Sequence, residues 1–224
     1  TTVVHNCNPR RTSAVLGRQV RVLYGPGQIE DTLCGLTFAL SAGSFYQVNP
    51  AQTERLYDRA LAYAELSGRP TVLDAYCGIG TIGLCAAAAG AGQVFGVEQT
   101  PAAVRDARAN AARNRLKNAR FACADATPWM RQAAAEGLRP DVVFLDPPRA
   151  GSTPDCLAAV AAMGPRRVVY VSCGPDTLAR DAALLAGHGY RARAFQPVDL
   201  FPHTDHLETV VLLSKGEIDS KKVR

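Results

Sequence analysis

Cysteine pairs at CxxC spacing are missing from this 224-residue chain, although it holds seven cysteines, Cys7, Cys34, Cys77, Cys85, Cys123, Cys156 and Cys173. An odd, scattered set excludes a disulfide framework and argues against a zinc or iron–sulfur site within the chain. Reduced thiols and a cytoplasmic location are the expectation. No apolar run approaches the roughly 20 residues of a spanning helix, and the N-terminus lacks a charged-then-apolar signal pattern. No membrane partner is therefore expected. There is no internal repeat, which excludes a solenoid. There is also no initiator Met, and the chain runs from TTVVHN to a polar GEIDSKKVR. A piece of a longer protein is expected. Lysine is scarce: nearly all the cations behind the net charge of +5 are arginines. Their planar forks suit phosphate, yet a solvated arginine-rich surface explains them equally well, so charge alone does not establish a nucleic-acid partner.

What is present points to an ordinary globular chain, with 47% hydrophobic and 20% charged residues, enough for one main core. Residues 1–44 read as short strands broken by turns (TSAVLG, QVRVLYG, GLTFALS) and are expected to form a small β appendage. From Pro50, the spacing of Leu56, Ala60, Leu61 and Ala64 is helical, ending near Ser67-Gly68. After Pro70 the rhythm is strand, helix, strand, helix: TVLDAY, QVFGVE, RFACAD, DVVFLD and RVVYVS, each leading into a helix, one of them expected from Pro128. Such alternation makes residues 45–215 an α/β domain with a largely parallel sheet covered on both faces, followed by a polar tail over 216–224. The last connection, DLFPHTDH, is too short for a crossover helix. The final strand, LETVVLLS, must then run antiparallel to its neighbour, so Glu208 starts at the rim where the parallel strands end.

That rim collects the chemistry. Cys173 follows the apolar run Val168 to Val171 and precedes Gly174-Pro175, which places it just before a helix N-terminus. The partial positive charge there favours a thiolate. The ordinary role of such a cysteine is a buried strand cap, and convergence with other groups is what would make it a nucleophile. The loop DAYCGIGTIG carries Asp74, Gly78, Gly80 and Gly83; a bare GxGxxG also fits a nicotinamide enzyme. Glu98 ends the second strand about twenty residues on, where a carboxylate can hold ribose hydroxyls, and Asp125 ends the third, where it could accept from an adenine amino group. In DPPR, two prolines stiffen the turn, presenting Asp146 to the polar edge of a base and Arg149 to a phosphate. Cys173 with Glu208 suits addition–elimination on a pyrimidine: a thiolate adds at C6, C5 becomes nucleophilic, and a base removes the C5 proton. His203, Asp205 and His206 form a loose set without a third clear ligand, and a hydrogen-bonded rim is expected there rather than a metal.

In this order, SFYQVNP (residues 44–50), DAYCGIGTIGL, DPPR, VSCGPDTLARD and FPHTDHLETVVLL resemble the RNA uracil-5 methyltransferase family over nearly the whole chain. SFYQVNP is closer to the 23S ribosomal RNA members than to the transfer RNA member. The resemblance implies a class I S-adenosylmethionine-dependent methyltransferase fold, Rossmann-like with the last strand antiparallel. It implies Cys173 as nucleophile and Glu208 as general base. It also implies cofactor-side roles for Gln47, Tyr76, Gly78, Gly80, Thr81, Glu98, Asp125 and Asp146, and substrate contacts from Gln47, Asp146 and Arg149. A monomer making 5-methyluridine in 23S ribosomal RNA is the expectation. The alternatives are a transfer RNA substrate, a methyltransferase of exocyclic amines, or a cofactor-binding module without activity. Many family members carry an RNA-binding β-barrel and a four-cysteine iron–sulfur site; neither is present in these residues.

Overall fold

The computed structural model describes residues 1–9, 16–17 and 19–216. The strand expected over 12–17 falls mostly outside these residues, as does the polar tail from 217 onward. Two hairpins come first: β1 (Val3–Cys7) with β2 (Gln19–Tyr24), then β3 (Gln28–Leu33) with β4 (Leu36–Ser41). They behave differently. In β2 every residue is exposed. In the second hairpin Leu33 and Phe38 are completely buried in the main core, where a side chain of that size contributes about 1.5–3 kcal/mol.

After these come α1 (Pro50–Ala64), β5 (Thr71–Ala75), α2 (Thr81–Ala88), β6 (Gln93–Glu98), α3 (Pro101–Arg113), β7 (Ala119–Cys123) and α4 (Ala126–Ala135). The chain continues with β8 (Val142–Leu145), α5 (Pro154–Met163), β9 (Arg167–Ser172), α6 (Pro175–Gly187), β10 (Arg191–Val198) and β11 (Glu208–Ser214). The main sheet has the order β10-β11-β9-β8-β5-β6-β7. Strands β5 to β9 pair in parallel, and β11 lies between β9 and β10, antiparallel to both. Every residue of β8 and β9 is buried, as expected for central parallel strands covered on both faces. The strand order reverses at β5, between β6 and β8, which opens a crevice at the carboxyl ends.

One face packs α1, α2, α3 and the second hairpin around Leu56, Val94 and Leu84; the other packs α4, α5 and α6 around Met130, Leu157 and Leu185. The β3–β4 hairpin is held by α3. Asn110 and Asn114 accept from the backbone N–H groups of Ala39 and Thr37 at 2.8 and 2.9 Å and donate back to the same residues' carbonyls, extending the edge of β4 as a partner strand would. Helix starts follow local chemistry. Pro154 and Pro175 open α5 and α6, where a missing N–H costs nothing. α4 begins at Ala126, two residues before the Pro128 expected from sequence, because the Asp125 carboxylate caps it by accepting from Thr127 N at 2.8 Å. Among the described residues no helix is long and apolar enough to cross a membrane.

Candidate active site

A cavity of about 600 Å³ opens at the carboxyl edge of the sheet. The loop after β5 forms one wall. Tyr76 sits in the left-handed region (φ 69°), a strained setting for an aromatic residue, and is held there by its hydroxyl, 3.0 Å from Ser152 Oγ. Gly78 N donates to Glu98 Oε2 (3.2 Å), and Thr100 N to Glu98 Oε1 (2.7 Å). Thr81 Oγ1 lies 2.9 Å from the hydroxyl of buried Tyr57. Asp125 stands beyond Glu98 on the same wall.

Two residues of the glycine loop work behind the wall. Gly80 is the N-cap of α2 at φ 84°, and a Cβ there would meet the Phe121 ring at 3.0 Å; it does not line the cavity. Gly83 N donates to Asp74 Oδ2 at 2.9 Å. Burial pushes the Asp74 carboxyl up to about 8 against the lowering effect of that bond.

The opposite wall brings together Asp146, Arg149, Cys173 and Glu208. Thr209 of β11 pairs with Ser172 of β9, so the next residues outward, Glu208 and Cys173, meet at the rim. Ser172 Oγ bridges to Gly174, accepting from its N–H at 3.2 Å and donating to its carbonyl at 3.0 Å, which sets the turn carrying Cys173. Gln47, nearly fully buried, reaches the cavity from the segment before α1. Asn49 anchors that segment by capping α1 through Gln52 N (3.3 Å) and donating to Leu200 O (3.1 Å).

The electrostatics correct one expectation. The position of Cys173 before α6 suggested a thiol shifted towards thiolate; instead burial and the neighbouring Glu208 carboxylate raise it, with Arg149 opposing. Burial also raises Glu208, again opposed by Arg149. Asp146 is pushed up to about 7 by burial and then by Glu208. Three acidic groups thus crowd one wall, and Arg149 opposes the rise at two of them, Cys173 and Glu208.

Several lining residues lie outside the sequence motifs' obvious chemistry. Phe45, 75% exposed, lines the cavity, as do Phe201 and His206, which stand edge to face to each other with 6.2 Å between ring centroids. Tyr57 belongs to α1 and carries only helix-core spacing in the sequence. Among the described residues no group of three or more His, Cys, Asp or Glu could hold a metal ion.

The chain is similar to known RNA methyltransferases. The model of the tRNA (uracil-5-)-methyltransferase family matches residues 28–216. An RNA methyltransferase of Listeria innocua is 49% identical over 214 residues, covering 96% of this chain and 47% of that protein. One from Halalkalibacterium halodurans is 50% identical over 211 residues, covering 94% and 46%. The chain spans about half the length of the curated relatives it matches. Among solved structures, the Pyrococcus abyssi tRNA (uracil-54, C5)-methyltransferase in complex with S-adenosyl-L-homocysteine is 31% identical, with a TM-score of 0.78 over 95% of this chain and 50% of that one. An S-adenosylmethionine-dependent methyltransferase from Agrobacterium tumefaciens shares the fold at 18% identity and a TM-score of 0.66, over 89% and 74%. A fold of this class, a family match beginning at the second hairpin, and half-identical relatives lead to one conclusion: the chain belongs to the tRNA (uracil-5-)-methyltransferase family.

Proposed function

We propose that this chain carries the methyl-transfer centre of an RNA uracil-5 methyltransferase, with S-adenosylmethionine as donor and C5 of a uridine as acceptor. The observation that carries the reading is Cys173 beside Glu208 across β9 and β11, in the cavity that also holds Glu98 and Asp125. The donor-side residues suit a charged nucleoside. Each Glu98 oxygen accepts one backbone N–H and keeps a lone pair for ribose hydroxyls, and Asp125 uses one oxygen as a helix cap and keeps the other for an amino group. When bound, S-adenosylmethionine supplies an electrophilic methyl group.

On the acceptor side, Cys173 Sγ forms a bond to C6 of the uridine, and the C5–C6 π pair moves onto C5 and the O4 carbonyl as an enolate. C5 then takes the methyl group. Glu208 removes the C5 proton, the electron pair of the C5–H bond restores the double bond, and Cys173 leaves as thiolate; one proton is released overall. Asp146, whose carboxyl burial and then Glu208 push up to about 7, presents its polar edge to the base. A uridine in folded RNA must be flipped out of its stack to enter, and the cavity is of the size that holds a nucleoside.

The finer reading takes 23S ribosomal RNA as substrate, on the likeness of SFYQVNP. Transfer RNA is the second reading, favoured by the 31% identity to the Pyrococcus abyssi enzyme. Mass spectrometry of nuclease fragments from both RNA pools, from cells with and without the gene, separates them. Loss of 5-methyluridine at one 23S position supports the first, loss from transfer RNA the second, and loss from neither overturns both.

A further inference from the structure

The end of the VSCGPDTLARD motif has no part in the chemistry above, yet it contains Asp181, the most enclosed carboxylate of the α6 region. Asp181 has no exposed surface. Its Oδ2 accepts from Ser152 N and from Tyr170 OH, both at 2.6 Å, and its Oδ1 from Arg180 Nε at 2.8 Å. Arg180 Nη2 reaches on to the carbonyls of Ala150 and Ser152, each at 3.0 Å, while Thr177 Oγ1 donates to Gly174 O at 3.0 Å and lies 3.4 Å from Arg149 O. Thr177, Arg180 and Asp181 share one face of α6 by their spacing of three and four. Arg180 and Asp181 grip the same short turn, residues 149–152, with Thr177 against its first carbonyl, and Gly151 N closes the turn back on Pro148 O at 2.8 Å.

The turn is shaped for this grip. Gly151 has φ 74°, and a Cβ there would lie 2.6 Å from Arg180 Nη2 and 2.7 Å from Asp181 Oδ2, so only glycine allows the approach. Tyr76 ties to the same turn through Ser152 Oγ. One end of α6 therefore presents Cys173 and the next two turns hold the segment that carries Arg149.

We propose that Asp181, with Thr177 and Arg180, is a positioning residue that clamps the 149–152 turn to α6 and so holds Arg149 beside Cys173 and Glu208. This deepens the methyltransferase reading and rests on it for its functional meaning, but its physical content is independent of turnover. The charged groups around the Cys173 thiol are Glu208 on β11, Asp146 just past β8 and Arg149 on the clamped turn, with His206 on the rim. Arg149 is the member whose place depends on the clamp. Its withdrawal leaves the two carboxylates to dominate.

The test is the pH profile of Cys173 alkylation by iodoacetamide, quantified on the Cys173 peptide by mass spectrometry, in wild type, Asp181→Asn and Gly151→Ala. The expected result is an upward shift of the profile midpoint in both variants and a lower alkylation rate at pH 7. The sign discriminates: removing the Asp181 charge alone would move the thiol the other way, and Gly151→Ala changes no charge. A role confined to stability would lower Tm in thermal melts without moving the profile. If Asp181→Asn does not fold, Gly151→Ala, in a surface turn, decides. A folded variant with an unchanged or downward-shifted profile overturns the clamp. A shifted profile in a protein that methylates no uridine keeps the clamp and removes the functional reading instead.

Discussion

Replacing Glu208 by Gln separates its two proposed effects, because they act in opposite directions. Glu208 and Cys173 extend adjacent antiparallel strands, which sets the scale of their separation at about 5 Å. Two charges at that distance interact with about 0.8 kcal/mol in water and about 3 kcal/mol at an effective dielectric near 20. An open cavity wall lies between these limits, so about 1.4 kcal/mol is a working figure, or a tenfold larger thiolate fraction once Glu208 is neutralised. A less basic thiolate is also a weaker nucleophile, by about threefold for that change, leaving a net gain of about threefold in alkylation rate. The assay is iodoacetamide labelling of the Cys173 peptide near pH 8. Turnover should move the other way, by about 10²–10⁴-fold, since the C5 proton loses its base. A slower or unchanged thiol in Glu208→Gln would refute the electrostatic argument, and undiminished turnover would refute the base assignment.

Other outcomes follow from the same geometry. Cys173→Ala should abolish 5-methyluridine formation in a tritium-transfer assay while calorimetry finds donor affinity near wild type; retained turnover removes the nucleophile. Calorimetry on wild type should show S-adenosylmethionine binding and none for NAD, and the reverse result would return the GxGxxG loop to a nicotinamide enzyme. For Asp74, held up to about 8, the native state keeps a proton that the unfolded chain releases above about 4, so this group costs stability progressively as pH rises between those values. Asp74→Asn keeps an acceptor for Gly83 N and lacks that slope. Its Tm should exceed wild type at pH 8, with the gap closing towards pH 4; a pH-independent difference contradicts the assignment.

Much of the site was legible in the sequence because it rests on connectivity. The short 199–207 connection required an antiparallel last strand, and that alone places Glu208 at the Cys173 rim. The acids at the ends of β6 and β8, and Asp125 just past β7, could be placed from strand endings in the same way. What was not legible depends on tertiary contact. Cys173 was expected to lean towards thiolate from its place before a helix, but burial and Glu208 outweigh that local effect. Tyr57 and Phe45 reach the cavity only because α1 and the segment before it fold over the sheet; Tyr57 lies outside every motif, and Phe45, though inside SFYQVNP, has no polar group to mark it as a lining residue. The burial of Leu33 and Phe38 was hidden for the same reason, since it needs Asn110 and Asn114 of α3 to receive the hairpin.

The central claim is that Cys173 bonds to C6 and Glu208 frees C5, and a trapped intermediate tests it most directly. Glu208→Gln, mixed with substrate RNA and S-adenosylmethionine, should accumulate a denaturant-resistant protein–RNA species whose nuclease-digested peptide maps by mass spectrometry to Cys173 carrying a methylated uridine. Absence of any such species, or its attachment to another cysteine, would contradict the account.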